Sequence, residues 1–224
     1  PPMWALGYHQ CRWNYKDEKD VNEVNANFDK YDIPYDVLWL DIEHTDNKKY
    51  FTWDENNFPN PKEMQYNLAK YGRKMVTIID PHIKRESGYH VYDIGNKKDL
   101  FVKDKNGKTF EGWCWPGASH YLDFTLKNVR NEWANLFSLE NYKESTQILF
   151  TWNDMNEPSV FNYPEVTMPK DNLHMNGLHE HREIHNLYGY FQHKATKQGI
   201  LQRTNSKTRS FVLSRSFFIG SSKY

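Results

Sequence analysis

Cysteine, net charge and long apolar runs are all scarce in this 224-residue sequence, and each scarcity excludes a class of protein. The two cysteines, Cys11 and Cys114, are too few for a disulfide scaffold and fit no zinc-binding spacing. The sequence leaves open whether they are free thiols or form one disulfide. The 29 basic and 29 acidic side chains cancel, which argues against nucleic acid or an anionic membrane bound through bulk charge. No apolar segment is long enough for a membrane span, and no signal-peptide pattern occurs.

Aromatic residues, by contrast, are abundant: they form 16% of the chain, with 8 Trp and 15 Tyr. Such rings suit a site that stacks on sugars, although core packing could also use many of them. The length is sufficient for one sizeable domain. Because the chain begins with Pro1 and Pro2 rather than methionine, we expect a piece of a longer protein, so the missing signal peptide says nothing about compartment.

Short apolar runs alternate with segments of helical periodicity along the chain. This alternation, with polar residues after every strand, predicts an α/β fold of the (β/α)8 (TIM) barrel type. A doubly wound open sheet is the alternative, and it is weakened because no Gly-rich phosphate fingerprint follows the first strand. The predicted strands are 5–15 (with its following loop), 37–40, 75–79, 148–150 and 211–213. The predicted helices carry Val21, Val24 and Phe28; Met64 and Leu68; Val129, Trp133, Leu136 and Phe137; and Ile184, Leu187, Tyr188, Phe191 and Ala195 within 181–201.

The chain contains about five strand–helix units, whereas a closed barrel needs eight in about 250 residues. We therefore expect residues 1–224 to form a partial catalytic barrel. The repeat is interrupted after the third strand, at about 84–124, where Gly, Lys, Asp and aromatic residues are mixed. Asn106 and Gly107 predict a turn between short β-like runs. This excursion is predicted to be a hairpin-bearing loop region over the site.

The segment 151–161 carries the strongest chemical signal. A buried strand is followed at once by Asp154 and Glu157, with two asparagines, a tryptophan and a proline. Glycosidic bond cleavage needs a rigidly held carboxylate, amide groups for sugar hydroxyls and an aromatic wall. The simpler interpretation is a strand-to-helix turn in which Asp154 is a cap and Pro158 begins a helix. The combination of all these residue types favours the catalytic interpretation.

Several motifs together resemble glycoside hydrolase family 31, the α-glucosidase family. They are GYHQCRWNY, LWLDIEHTD, IIDPHIK, WCWPG, WNDMNEPSVF and FVLSRSFF. WLDIEHTD, YFTWD and EGWCWPG are most similar to the branch that processes N-linked glycans and to a sister branch that acts on glycogen-like substrates. The resemblance implies a retaining hydrolase of terminal α-linked glucose, which uses two carboxyl groups and no cofactor.

The resemblance also implies roles for individual residues. Asp154 matches the catalytic nucleophile, and Glu157 matches a supporting acid. Asp41 matches the aspartate that accepts hydrogen bonds from glucose hydroxyls, although it could instead be a helix-start carboxylate. Arg215 matches the arginine near the nucleophile, a role compatible with a structural ion pair. Further substrate-binding positions are matched by Trp13, Ile78, Trp115, Met155 and Asp80, for which packing or structure alone is also open.

The family's general acid lies in a W-T-G-D segment that these 224 residues do not contain. We therefore expect this chain alone to lack α-glucosidase activity. The resemblance further implies that the substrate is an N-glycan or oligosaccharide with a terminal glucose, which is α-1,3-linked on the N-glycan. It also implies a non-catalytic β subunit as partner. The location it implies is the lumen of the endoplasmic reticulum. If the chain belongs to the sister branch instead, the resemblance implies the cytoplasm as location and α-1,4-linked glucose as substrate.

The residues also allow two other functions, a metal site and a sugar-binding module without catalysis. Four histidines lie close in sequence, at His174, His179, His181 and His185, and suggest a metal site. The H-E-x-x-H pattern fails, however, because Glu183 occupies the position of its second histidine, so structural histidines are favoured. A sugar-binding module without chemistry would carry the same aromatics, but it would not need carboxylates after successive strands.

Overall fold

Strands and helices alternate as the sequence predicts in the computed structural model, which describes residues 1–224. The strands are β1 (His9–Gln10), β2 (Val37–Leu40), β3 (Lys74–Ile78), β4 (His82–Lys84), β5 (Glu111–Cys114), β6 (Gly117–Tyr121), β7 (Leu149–Asn153), β8 (Leu173–His174), β9 (His179–Glu180) and β10 (Val212–Ser214). The helices are α1 (Glu18–Lys30), α2 (Pro61–Ala69), α3 (His90–Lys97), α4 (Lys127–Leu136), α5 (His181–Ile184) and α6 (Tyr188–Arg203). None of these helices combines the length and the apolar character that a bilayer span requires.

The largest sheet has five strands in the order β1-β2-β3-β7-β10. The pairs β1–β2, β2–β3 and β3–β7 are all parallel, and all four residues of β2 are buried. Parallel neighbours joined through helices are the repeat of a (β/α) barrel, so this prediction is confirmed. Polar residues follow the carboxyl ends of four strands: Asp41 after β2, Asp80 after β3, Asp154 after β7 and Arg215 after β10.

The chain divides into two compact units. The first comprises Pro1–Ile79, Asn135–Trp152 and Lys197–Val212, and the second comprises Asp80–Ala134, Asn153–Thr196 and Leu213–Tyr224.

In the first unit, a fully buried glutamine on α2 links this helix to the loop at 144–146. Gln65 Nε2 donates to the carbonyls of Pro61 and Glu144 at 2.9 and 2.8 Å, and its Oε1 accepts from Thr146 N and Oγ1. All four hydrogen-bonding positions of the amide are therefore used. Arg203 has a similar role, since it is 9% exposed and donates to the carbonyls of Phe137, Thr146 and Leu149.

In the second unit, the predicted excursion contains a three-stranded antiparallel sheet in the order β4-β6-β5. Its hairpin lies between β5 and β6. The predicted turn at Asn106–Gly107 is confirmed, with Gly107 at φ +78°, but only an isolated bridge between Lys103 and Thr109 flanks it.

The helix α3 was not predicted, because the whole segment at about 84–124 was expected to form a hairpin-bearing loop region. A Cβ at Gly95 would lie 2.3 Å from the Phe101 ring, so glycine is what allows this ring to pack against the helix.

Two other predictions need correction. The helix predicted over 181–201 is interrupted: α5 ends at Ile184, a 3₁₀ turn spans His185–Leu187, and α6 follows. The buried face of this helix also differs from the predicted one, because Phe191 is only half-buried, whereas the polar Gln192, His193 and Thr196 are buried. The pattern of apolar residues cannot show that a polar side chain will have a buried hydrogen-bond partner, such as the Trp133 indole, which donates to Thr196 Oγ1 at 2.8 Å. The first strand is only two residues long, since a 3₁₀ turn occupies Met3–Leu6.

Candidate active site

Asp154 directly follows β7, which continues through Trp152 and Asn153 beyond its predicted end. Asn153 is completely buried, while the Asp154 side chain is 13% exposed. Met155, the next residue, has φ +58° and is buried, so the chain turns sharply just after the carboxylate. The rigid strand and this turn give Asp154 a defined direction at the strand end.

Arg215 brings four of the predicted site residues together. Its Nε lies 3.2 Å from Asp154 Oδ1, and its Nε and Nη2 donate to the two Glu157 oxygens at 2.8 and 2.9 Å. Nη2 also lies 3.1 Å from the Met155 sulfur. The hydrogen bonds that Arg215 donates to Glu157 raise the pKa of the guanidinium, as do the negative charges of Asp154 and Asp80. The predicted grouping of Asp154, Met155, Glu157 and Arg215 is therefore present as a geometry, while their catalytic roles stay predictions.

Asp80 is completely buried near this group. His82 Nε2 lies 3.6 Å from Asp80 Oδ2, but burial lowers the pKa of His82 to about 3, so the imidazole is neutral. Burial, and secondarily the charge of Asp80, raises the pKa of the Cys114 thiol to about 12. Both cysteines are free thiols, which resolves the question that the sequence left open.

The hairpin between β5 and β6 presents exposed aromatic rings. Trp115 is 46% exposed and packs edge-to-face against Phe161, with ring centroids 4.8 Å apart. The backbone N–H of Phe161 donates to the Trp113 carbonyl at 2.8 Å, which links the hairpin to the segment after Asp154. Phe161 was not singled out from the sequence, although it closes the same WNDMNEPSVF motif.

Asp41, Trp13 and Ile78 belong to the first unit. The Asp41 carboxylate accepts from the backbone N–H of Ile42 at 2.7 Å and caps a short 3₁₀ turn, as the simpler interpretation predicted. Burial and the charge of Asp41 raise the pKa of Cys11. Trp13 is 74% exposed, whereas Ile78 is 2% exposed and contributes to the core.

Sequence reasoning missed the residues that hold the segment around Arg215. Asn156 is completely buried, and its side chain contacts both Ser214 and Ser216, the neighbours of Arg215 in sequence. His193 on α6 contacts Ser214 as well. The only signal in the sequence was the presence of a second asparagine inside the acidic motif.

Three of the four clustered histidines form a hydrogen-bonded chain rather than a metal-ligand set, while the exposed His179 faces Glu183. Asp123 Oδ1 lies 2.9 Å from His174 Nδ1, His174 Nε2 lies 3.0 Å from His181 Nδ1, and His181 Nε2 lies 2.8 Å from His185 Nδ1. The nitrogens that a metal ion would need are thus directed at one another. Burial lowers the pKa of His181 to about 3.

Chemically, the second unit holds one partly accessible carboxylate beside a guanidinium that a second carboxylate orients. Such a group suits nucleophilic attack by Asp154 on an electrophilic carbon, with its negative charge stabilised before attack. Exposed aromatic rings in the same unit could contact the apolar face of a sugar.

Comparison with known proteins gives consistent matches over the whole chain. A family profile described as "Glycosyl hydrolases family 31 TIM-barrel domain" matches residues 1–224. A rice (Oryza sativa subsp. japonica) "Probable glucan 1,3-alpha-glucosidase" is 60% identical over all 224 residues, and human "Neutral alpha-glucosidase C" is 57% identical. Each alignment covers 100% of this chain and 24% of the relative.

A crystal structure of an ER glucosidase II heterodimeric complex, composed of a catalytic subunit and the binding domain of a regulatory subunit, superposes with a TM-score of 0.95. It is 54% identical and is matched over 97% of this chain and 24% of its own. The chain therefore spans about a quarter of the length of the relatives it matches.

Proposed function

Because the chain belongs to glycosyl hydrolase family 31, we propose that Asp154 is the nucleophile of a retaining α-glucosidase whose barrel these residues help to form. One observation carries this proposal: the Asp154 carboxylate stands at the end of β7, 3.2 Å from Arg215 Nε, and Glu157 accepts hydrogen bonds from the same Nε and from Nη2. The names of the relatives, which describe α-glucosidases, support the same reaction.

In this reaction a carboxylate oxygen of Asp154 forms a bond to the anomeric carbon while the bond from that carbon to the leaving oxygen breaks. A second carboxyl group gives its proton to the leaving oxygen. The glucosyl ester is then cleaved by water, which the deprotonated second group activates, and Asp154 is released as a carboxylate. Arg215 stabilises the negative charge of Asp154, and Glu157 keeps the guanidinium in place.

The remaining predicted residues are proposed to bind the glucose. Asp41 accepts hydrogen bonds from sugar hydroxyls, because a carboxylate can accept two at once. Trp115 offers an exposed ring face, and Met155 lies against the Arg215 guanidinium. Contacts by the other members of the set rest on their motifs alone: these are Trp13, Ile78 and Asp80.

The proposed substrate is terminal α-1,3-linked glucose on an N-linked glycan, which the rice relative and the glucosidase II structure support. With it we propose a non-catalytic regulatory subunit as partner and the lumen of the endoplasmic reticulum as location. Hydrolysis of α-1,4-linked glucose is the second candidate, supported by the similarity to neutral α-glucosidase C. Initial rates on α-1,3- and α-1,4-linked glucose disaccharides distinguish the two candidates.

The decisive test is covalent labelling in the protein that carries these 224 residues. A 5-fluoro-α-glucosyl fluoride should leave one glucosyl ester, and peptide mapping should locate it at Asp154. Asp154→Asn should abolish both labelling and turnover of a chromogenic α-glucoside, while Asp171→Asn, which removes a surface carboxylate, should do neither. Labelling elsewhere overturns the assignment, and binding without labelling or turnover supports a sugar-binding module instead.

The 224-residue chain by itself is expected to be inactive, since no second catalytic carboxyl group has been assigned within it. Turnover by the purified chain that is lost in Asp154→Asn would contradict this expectation.

A further inference from the structure

We propose that Asn156, Ser214 and His193 are positioning residues that set the direction of Arg215, and that they act on catalysis only through this arginine. The inference rests on the proposed role of Asp154. Each of the three side chains makes hydrogen bonds with the residues on either side of Arg215, Ser214 and Ser216.

Asn156 holds the chain on both sides of Arg215. Its Nδ2 donates to Ser214 Oγ at 2.8 Å, and its Oδ1 accepts from the backbone N–H of Ser216 at 3.0 Å. The Asn156 side chain is completely buried, which limits the access of water to both bonds. Arg215 itself donates its backbone N–H to the carbonyl of Asn153 at 3.1 Å, so three consecutive residues are tied to the motif that carries Asp154.

The Ser214 hydroxyl is the centre of this arrangement, because all of its hydrogen-bonding positions are used. Its single proton is directed at the carbonyl of Ser216, 2.9 Å away. A hydroxyl then has two lone pairs left. One accepts from Asn156 Nδ2, and the other faces His193 Nδ1 at 3.1 Å.

This count determines the tautomer of His193. Since the Ser214 proton is already donated, His193 Nδ1 must carry a proton and act as the donor. The other nitrogen, Nε2, is buried without a protein partner, as expected for an unprotonated acceptor. Burial lowers the pKa of His193 to about 4, so the ring stays neutral at neutral pH.

The helix α6 packs closely against these bonds at Gly189. A Cβ at Gly189 on α6 would lie 2.6 Å from the Asn156 carbonyl oxygen and 2.7 Å from Ser216 Cβ. The helix that supplies His193 therefore packs directly against both segments that it orders. A small displacement of Arg215 would change its contacts with both Glu157 and Asp154 at once.

The test compares two deletions of one hydroxyl on either side of Arg215, in the protein that carries these residues. Ser214→Ala removes the central hydroxyl, whereas Ser216→Ala leaves in place both backbone groups that the arrangement uses. We expect Ser214→Ala to lower kcat by about 10- to 100-fold, as displacement of a group in the site does, with a smaller change in KM. Ser216→Ala should stay within about twofold, and Ser214→Thr, which keeps the hydroxyl, should recover most of the activity.

Action through Arg215 predicts non-additive effects. In a double-mutant cycle, Ser214→Ala should add less than twofold to the loss caused by Arg215→Lys. Fully additive losses, or equal losses in Ser214→Ala and Ser216→Ala, overturn the inference. The Asp154→Asn variant distinguishes a failure of this inference from a failure of the proposed function. If Asp154→Asn retains activity, the assignment of Asp154 as the nucleophile is wrong, whatever the serine variants do.

Two further measurements test the role of His193, and the first of them needs no variant. Nitrogen chemical shifts of His193 in the unaltered protein should report a protonated Nδ1, and a protonated Nε2 at neutral pH would contradict the arrangement. His193→Asn, whose amide can donate near the position of Nδ1, should retain more activity than His193→Leu. Equal activities of these two variants would overturn the inference.

Discussion

Arg215 binds Glu157 through two nearly equal hydrogen bonds, 2.8 Å from Nε and 2.9 Å from Nη2. This paired geometry fixes the plane of the guanidinium as well as its distance. The same Nε lies 3.2 Å from Asp154 Oδ1, so the orientation of Arg215 against the proposed nucleophile depends on the second carboxylate. Glu157 therefore has a structural role that its position in the motif did not specify.

Replacing Glu157 with glutamine should reduce activity. The amide keeps the shape of the side chain but loses the charge and can accept only one of the two bonds from Arg215. Because a hydrogen bond to a charged group contributes about 1.5–3 kcal/mol, we expect kcat/KM for a chromogenic α-glucoside to fall by about 10- to 100-fold. Glu165→Gln, which removes the carboxylate of an exposed pair with Lys170, is the control and should stay within about twofold. Equal rates for the two variants would show that Glu157 does not orient Arg215.

Gln65 should be among the most sensitive positions for stability. Gln65→Met removes four hydrogen bonds while keeping a side chain of similar length, and it leaves Thr146 N and the Glu144 carbonyl without their partner. Each buried group left unpaired costs about 1–3 kcal/mol, so we expect the free energy of unfolding to drop by about 2–4 kcal/mol in urea titrations. Glu63→Met, on the exposed face of the same helix, should change it by less than about 0.5 kcal/mol. A similar effect in both variants would refute the bridging role.

Acid should destabilise the protein below about pH 6.5 because several buried histidines are held neutral. Burial lowers the pKa of His44 and His193 to about 4, and of His82 and His181 to about 3, from the ordinary value of 6.5. Between the lowered and the ordinary pKa, the unfolded state binds more protons, so stability is complete above 6.5 and is lost as pH falls. Each histidine contributes about 1.4 kcal/mol per pH unit within its window.

His44→Asn isolates one of these contributions. His44 Nδ1 lies 2.7 Å from the Asp41 carbonyl, a bond that the asparagine amide can replace. We expect the dependence of unfolding free energy on pH to become shallower by about 1.4 kcal/mol per pH unit between pH 5 and 6. Above pH 7.5 the two curves should run parallel. An unchanged slope between pH 5 and 6 would mean that His44 is protonated in the folded state.

The two thiols should differ in accessibility. Cys11 is exposed and Cys114 is buried, with its pKa raised to about 12. Iodoacetamide should therefore modify one thiol in the native protein at pH 8 and two after denaturation without a reducing agent. The native label should map to Cys11 and be lost in Cys11→Ser. Fewer than two thiols in the denatured, unreduced protein would indicate a disulfide that the structure does not contain.

Local sequence patterns predicted the strand–helix order well, because buried strands and amphipathic helices have different apolar periods. The helix predicted to carry Val21, Val24 and Phe28 is α1, and the Asp17 carboxylate accepts from the backbone N–H of Asp20 at its start. The helix predicted to carry Met64 and Leu68 is α2, and the chain turns after it at Gly72, whose φ of +76° lies in the region that glycine adopts readily. Such features depend on residues a few positions apart, so they can be recognised in the chain itself.

Misses occurred where a side chain depends on a distant partner. Gly95 lies within α3, where its missing Cβ leaves room for the ring of Phe101, and the buried His193 on α6 has its hydrogen-bond partner in Ser214, 21 positions away. Neither the period of apolar residues nor the identity of one position contains this information.

The sequence by itself determined which chemical groups the protein has and in what order: a buried strand that ends in Asp154, a nearby Glu157, and an arginine 58 positions after that acid. Only the tertiary structure decided that Glu157 and Asp154 share one guanidinium, and that Asn156 and His193 hold the chain around it. The physical reason is the distance along the chain over which each interaction acts. Strand and helix preferences act over a few residues, whereas hydrogen-bond direction depends on atoms that packing brings together from remote parts of the chain.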